Sequence, residues 1–330
     1  MLDAHSRVYA PMPLHLGSTF VPRLSRLGPM ASNEQWIAFV REVVDRIGRG
    51  KGQLDKPLDC TELVNHVSER SFRSLYTSIY TDAMTRQNKE ILVLKELHLH
   101  RDLWFYLACH PEAKIVAQVR DPRDYILSCR NVAGAAAHYG SDMGALNVWL
   151  DDQVGVLTML TAMGPQRVFM QRYEDLIASP EAVLRSLCGF IGVEYENTML
   201  RFNERQEAMA AAQANKKFWK NLAQPLIPDN THKYRTGLTP LTNAAIERKV
   251  GNLMSAFGYD SEYSHSAVYS RLATMMFASH ACADKAKAIA VRRIKRTIRR
   301  TNHKSIVPTG NSMISWPYEV LPTTASVGTT

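Results

Sequence analysis

The stretch Ala113-Lys114-Ile115-Val116-Ala117-Gln118-Val119-Arg120-Asp121-Pro122-Arg123-Asp124-Tyr125-Ile126-Leu127-Ser128 decides how this chain is read. The short apolar run from Lys114 to Val119 has the pattern of a buried strand and closes on Arg120. Asp121-Pro122 then turns the backbone, and a helix begins whose early turns carry Ser128 back toward the arginine. A guanidinium offers a bidentate fork to a phosphate, and a hydroxyl with nearby helix N–H groups completes the shell. Taken alone, an Arg-Asp-Pro step suits equally an arginine that caps a neighbouring helix or pairs with Asp124, because short motifs recur by chance.

On both sides of this stretch, helical and strand patterns alternate from about residue 32 to residue 259, the signature of an α/β domain with a mainly parallel sheet flanked by helices. Ser32 and Gln35 have the spacing of a capping box, and Trp36, Phe39, Val40, Val43, Val44 and Ile47 recur at helical spacing until Gly48 and Gly50. A second amphipathic helix carries Phe72, Leu75, Tyr76, Ile79, Ala83 and Met84. Ile91 to Leu94 and Arg167 to Gln171 read as further buried strands, each followed by a polar segment, and ligands in open α/β sheets gather at such strand ends. Ser179-Pro180 opens a helix with Val183, Leu184, Leu187 and Phe190, and Pro240 opens the last one, with Ile246, Val250, Leu253, Met254 and Phe257 on one face. This gives an α/β domain over residues 1–260. Residues 261–330 form a separate extension: a long Ala/Met helical pattern from about Ser266, a basic stretch, and a Thr/Pro-rich end of disordered composition.

The formal charge of +9 is local. Residues 285–304 carry nine basic side chains and no acid, leaving 31 bases against 31 acids elsewhere. The neutral remainder gives no argument for nucleic acid. Cys60, Cys109, Cys129, Cys188 and Cys282 are scattered, with neither Cys-x-x-Cys nor zinc-ligand spacing, which fits a reducing compartment. There is no long apolar run and no signal-peptide layout at Met1, so the expectation is a cytoplasmic protein. Within 285–304, Ala288, Ile289, Val291, Ile294 and Ile298 place an apolar stripe among the bases, compatible with either a solvated helix or peripheral contact with an anionic membrane.

The order of the segments resembles the sulfotransferase family that uses 3′-phosphoadenosine 5′-phosphosulfate. That family carries the same strand-Arg-x-Pro-x-Asp-helix-Ser element, and the resemblance implies that Arg120 and Ser128 bind the 3′-phosphate of the co-substrate. Arg172-Tyr173-Glu174-Asp175-Leu176 is similar to the family's Tyr-Glu-Asp-Leu segment, which puts the Tyr173 ring near the adenine. Lys233-Tyr234-Arg235-Thr236-Gly237-Leu238 resembles the segment that closes over the phosphate, which makes Lys233 and Arg235 cofactor-binding candidates. Leu94-Lys95-Glu96 stands at the place of a Lys-Thr-His segment, so Lys95 matches the lysine that contacts the sulfuryl group. Trp149 and Phe257-Gly258-Tyr259-Asp260 also have counterparts, for which a core role is the simpler account. The resemblance covers about residues 1–260 and implies a P-loop nucleotide-binding-like fold, with no metal required.

Two departures follow from the same comparison. The family's catalytic histidine position is Leu97, with His98 one residue late and Glu96 one early; the glutamate that other members use as a base is Pro13 in Met12-Pro13-Leu14-His15-Leu16. Glu96, His98 and His15 remain the candidate bases. Moreover, Met1-Leu2-Asp3-Ala4-His5 resembles a family segment that follows the first strand and its Gly-x-Pro-Arg-Ser-Gly-Thr-Thr loop, neither of which precedes Met1 here. That loop clamps the 5′-phosphosulfate. The reading therefore expects little transfer from the chain as written, and transfer from one extended upstream wherever the loop is encoded there. The expected reaction moves a sulfuryl group onto a hydroxyl or amine of a small-molecule, carbohydrate or lipid-linked acceptor. The alternatives are a non-catalytic nucleotide-binding relative and a protein whose main activity is attachment through its basic tail.

Overall fold

Two parallel ladders and the helices packed on them organise the chain. The computed structural model describes residues 1–264, apart from 29, 51–53, 132–138, 140 and 215, together with residue 268. The helix expected from Ser266, the basic stretch 285–304 and the Thr/Pro-rich end lie outside the described residues. The chain divides into a unit Met1–Phe277 and a unit Ala278–Thr330, and all of the second lies outside them.

Strand β1, Val8–Tyr9, pairs in parallel with β2, Ile91–Leu92, in the register Val8 to Ile91. Strand β3, Ile115–Val119, pairs in parallel with β4, Val168–Arg172, with Val119 opposite Arg172. Among the described residues no ladder joins the two pairs. β2 is shorter than the Ile91–Leu94 run suggests: the pairing with β1 ends on the Val93 N–H, which donates to the Tyr9 carbonyl at 2.9 Å. β1 was not legible as a strand, since two residues are too few for an alternation to show.

Helices follow the sequence pattern closely. The Asn33–Gly48 helix starts with a complete Ser32/Gln35 capping box and buries Trp36, Phe39, Val40 and Val43. The Phe72–Arg86 helix is capped by Ser71, which accepts from the Ser74 N–H, and it buries Phe72, Leu75, Tyr76 and Ile79 against the first helix. Their shared core is aromatic: Phe72 stacks on Phe105 at 5.2 Å between centroids, and Tyr76 meets Phe105 edge-on at 5.3 Å. Such pairs contribute about 0.5 to 1.5 kcal/mol each beyond their buried area.

β3 and β4 stand between two other apolar clusters. Ile115, Ala117 and Val168 pack against Val156 and Met159 of the 22-residue Asp142–Met163 helix. Val116 and Phe169 face the Pro180–Ile191 helix, which buries Leu184, Leu187 and Cys188 and ends at Gly192 with φ 88°, a conformation suited to glycine. Where β3 ends, Val119, Ile126, Leu146, Trp149, Met254 and Phe257 form a third cluster. Trp149 is buried in it and also donates from its indole Nε1 to the Arg120 carbonyl at 2.9 Å. Core packing thus fixes the strand end that carries the site.

Candidate functional site

The side chain of the arginine that follows β3 is held by two neighbours. Its Nη2 donates to the Asn230 carbonyl at 3.1 Å, and its guanidinium lies over the Tyr173 ring, 4.5 Å from the centroid. Asn230 in turn donates from Nδ2 to the Tyr173 hydroxyl at 2.6 Å. The Arg120 Nε is buried and has no hydrogen-bond partner. A buried, charged donor without an acceptor is costly, which makes this nitrogen the natural seat for an anion.

The arginine borders a cavity of about 520 Å³ lined by, among others, Arg120, Asp124, Ser128, Tyr173, Lys220 and Lys233. Three cations and two hydroxyls against one acid suit an anionic ligand. The Pro122–Asn131 helix carries Asp124 and Ser128 into the wall. Asp124 is 1% exposed; burial raises its pKa, while the Tyr234 N–H that it binds at 2.8 Å and the nearby Arg120 act the other way. This bond ties the Lys233–Leu238 segment to the helix. The two also touch at Gly237, where a Cβ would lie 2.6 Å from a methyl of Leu127. Lys233 consequently reaches the cavity. Arg235 does not: its Nη2 donates to Glu262 at 2.7 Å on the exposed side. One helical turn, Tyr234–Gly237, separates the directions of the two cations.

Lys220, Asn221 and Asn230 line the cavity and were not singled out in the sequence. They come from a segment of short helical turns without a sustained period, in which Asp229 and His232 take left-handed backbone at φ 57° and 56°. An Asn or Asp in such a stretch is the available signal, and it is weak.

Lys95, Glu96 and His98 follow the end of β2 and do not line that cavity. Lys95 is exposed, yet enough protein lies around it for desolvation to lower its pKa. It lies close enough to His15 for its charge, after burial and Arg46, to help lower that imidazole's pKa. His15 Nδ1 is buried without a partner, at φ 55° in front of Leu16. Glu96 accepts from the Tyr76 hydroxyl at 3.5 Å, with the backbone N–H groups of Gly17 and Ser18 facing the carboxylate, and its Oε2 is buried without a partner. Burial pushes its pKa up to about 7 in spite of these donors. His98 turns its Nδ1 to Asp152 Oδ1 at 2.7 Å. Lys95 thus acts on His15, Glu96 is enclosed by Tyr76 and the Gly17 and Ser18 backbone, and His98 faces Asp152.

A model of the sulfotransferase family matches residues 1–197, more than half of the chain. The chain belongs to the sulfotransferase family. Its fold is similar to that of the sulfotransferase domain from the curacin biosynthetic pathway, with a TM-score of 0.54 and 22% identity over 79% of this chain and 92% of that one. It is also similar to the sulfotransferase domain of the Synechococcus PCC 7002 olefin synthase, with a TM-score of 0.51 and 21% identity over 78% and 88% of the two chains. No curated protein matches the sequence. Among the described residues, no helix of this sulfotransferase is long and apolar enough to cross a membrane.

Proposed function

We propose that this sulfotransferase takes its sulfuryl group from 3′-phosphoadenosine 5′-phosphosulfate and passes it to a hydroxyl or amine of a small, carbohydrate or lipid-linked acceptor. The observation that carries the reading is Arg120, with its partnerless buried Nε, lining one cavity with Ser128, Lys220 and Lys233. Those four groups fit a phosphate, and the Tyr173 ring beside Arg120 fits a purine. When bound, the co-substrate supplies the sulfuryl group that is transferred.

The chain's own residues then have three tasks. Arg120, Ser128 and the two lysines hold and orient the nucleotide, with Asp124 and Asn230 bracing the walls. Lys95 brings a positive charge toward the transferred group, with desolvation by the surrounding protein lowering its pKa. Glu96, with a pKa of about 7, accepts the acceptor's proton near neutral pH, with His98 and His15 as the other candidate bases.

Calorimetry with adenosine 3′,5′-bisphosphate tests the assignment. Arg120→Ala is expected to weaken binding by about 1.5 to 3 kcal/mol, the worth of a hydrogen bond to a charged group. Unchanged affinity would remove the nucleotide from this cavity. Binding without any transfer of radiolabelled sulfuryl group would instead favour a non-catalytic relative. The basic run 285–304, outside the described residues, belongs to the proposal as a peripheral lipid contact. Co-sedimentation with anionic vesicles at low salt is expected to need residues 285–330, and equal sedimentation without them sinks that part.

A further inference from the structure

Two residues of the cavity each keep a buried atom without a partner, and the chemistry of the two atoms is opposite. Arg120 follows β3, and Asp124 stands in the first turn of the Pro122–Asn131 helix; both line the cavity of about 520 Å³. Arg120 Nε is a donor and Asp124 Oδ2 an acceptor, and neither meets a hydrogen-bond partner in the protein. Arg120 is near enough for its charge to act on Asp124, and yet Nε and Oδ2 stay unpaired. The protein uses the other oxygen of Asp124: Oδ1 accepts from the Tyr234 N–H at 2.8 Å, and the His232 N–H also faces the carboxylate. The residue is 1% exposed, so a carboxylate oxygen left over there is costly.

A phosphate answers only one of the two atoms. It suits Arg120 together with Ser128, Lys220 and Lys233, whereas its own charge stands against Asp124. A ligand that satisfies both atoms carries, close to its anion, a group that donates a hydrogen bond to Oδ2. A ribonucleotide 3′-phosphate has such a group, because the 2′-hydroxyl sits on the carbon next to the one that bears the phosphate. Ser128 lies one helical turn beyond Asp124 on the same face, which sets a hydroxyl for the phosphate beside a carboxylate for the sugar.

We propose that Asp124 accepts a hydrogen bond from the 2′-hydroxyl of the nucleotide, so that the cavity selects a 3′-phosphorylated ribonucleotide over its 2′-deoxy counterpart. The inference rests on the nucleotide reading of the cavity and adds the sugar to it. Asp124 thereby has two tasks, one for each oxygen: Oδ1 fixes the segment that carries Lys233, and Oδ2 reads the ribose.

Calorimetry on the full chain compares adenosine 3′,5′-bisphosphate with 2′-deoxyadenosine 3′,5′-bisphosphate. The ribonucleotide is expected to bind at least about 10-fold more tightly, the worth of one hydrogen bond to a charged group. Asp124→Asn keeps an oxygen for the Tyr234 N–H and removes the charge. The ratio should then shrink to roughly 3-fold or less, with the deoxynucleotide gaining affinity because its phosphate no longer meets a carboxylate. Differences in sugar pucker are common to both proteins, so the change in ratio isolates Asp124. Ser128→Ala should weaken both nucleotides by a similar factor and keep the ratio. Equal affinities in the intact chain overturn the proposal while leaving the nucleotide reading in place; they are also what a protonated Asp124 donating to the phosphate would give. An unchanged ratio in folded Asp124→Asn, with both nucleotides weakened alike, confines Asp124 to holding Tyr234 and overturns it as well. If the intact chain binds neither nucleotide, the reading of the cavity falls and this inference with it. Circular dichroism checks folding; should Asp124→Asn unfold, the comparison on the intact chain decides alone.

Discussion

Replacing Arg123 with methionine is expected to destabilise the domain by about 3 to 5 kcal/mol, the cost of breaking a buried ion pair from one side. Arg123 donates to Asp121 through Nε at 3.0 Å and Nη2 at 2.7 Å, and to Glu247 through Nη1 at 2.6 Å. All three side chains are at most 2% exposed. Burial opposes the charge, but Asp121 outweighs it and raises the pKa of Arg123 further, so the guanidinium stays charged. Without it, Asp121 keeps its hydrogen bond to the Arg123 N–H and Glu247 keeps those from the N–H groups of residues 262–264, but two carboxylates lose their cation. Urea denaturation measures the loss. A change below about 1 kcal/mol would mean that water reaches the network. The site should suffer as well: Arg123 lies between Arg120 and Ser128 in sequence, and its guanidinium covers the Tyr234 ring at 4.0 Å, beside Lys233. Asp121→Asn combined with Arg123→Met should recover part of the stability, because one stranded charge goes with the cation.

The residues that the sequence made legible are those at the ends of periodic elements. Arg120, Ser128 and Tyr173 stand where a strand stops or a helix begins, and the structure brings them to one cavity with Lys233. Adjacency misled where it stood in for direction. Lys233 and Arg235 read as a pair, but helical residues two apart diverge by about 160°, and Glu262 draws Arg235 away. What was illegible came from long-range meetings. Lys220 and Asn230 reach Arg120 across about a hundred residues, and Asp151 reaches His100 across fifty, so no local spacing announces either. The same holds for Glu96. Its position one residue from a family motif showed in the sequence, but its burial by Tyr76 and the Gly17 backbone did not.

That burial makes Glu96 a second source of large effects. Raising its pKa from an ordinary 4.5 to about 7 means that the folded chain keeps a proton which the unfolded chain releases from about pH 4.5 upward. Protonation therefore favours folding, and the sign is a loss: stability falls as pH rises from about 4.5 to 7 and levels off above, by about 3 kcal/mol in all. Glu96→Gln keeps an acceptor for the Tyr76 hydroxyl and removes the ionisation. The variant is expected to match the natural chain near pH 4.5 and to exceed its stability by about 3 kcal/mol at pH 8, as read from paired urea titrations across that range. Histidines titrate in the same window in both proteins, so the difference between them isolates Glu96. If the two stability curves run parallel, the carboxylate is hydrated and the shift is absent. The same substitution separates a structural from a catalytic role. A base of pKa about 7 makes kcat/KM rise with pH through neutrality, and a stabilised but inactive Glu96→Gln chain would tie the lost stability of the ionised carboxylate to its use in accepting the proton. Full activity in the variant, with the stability gain intact, would leave Glu96 a buried acid and move the base to His98 or His15.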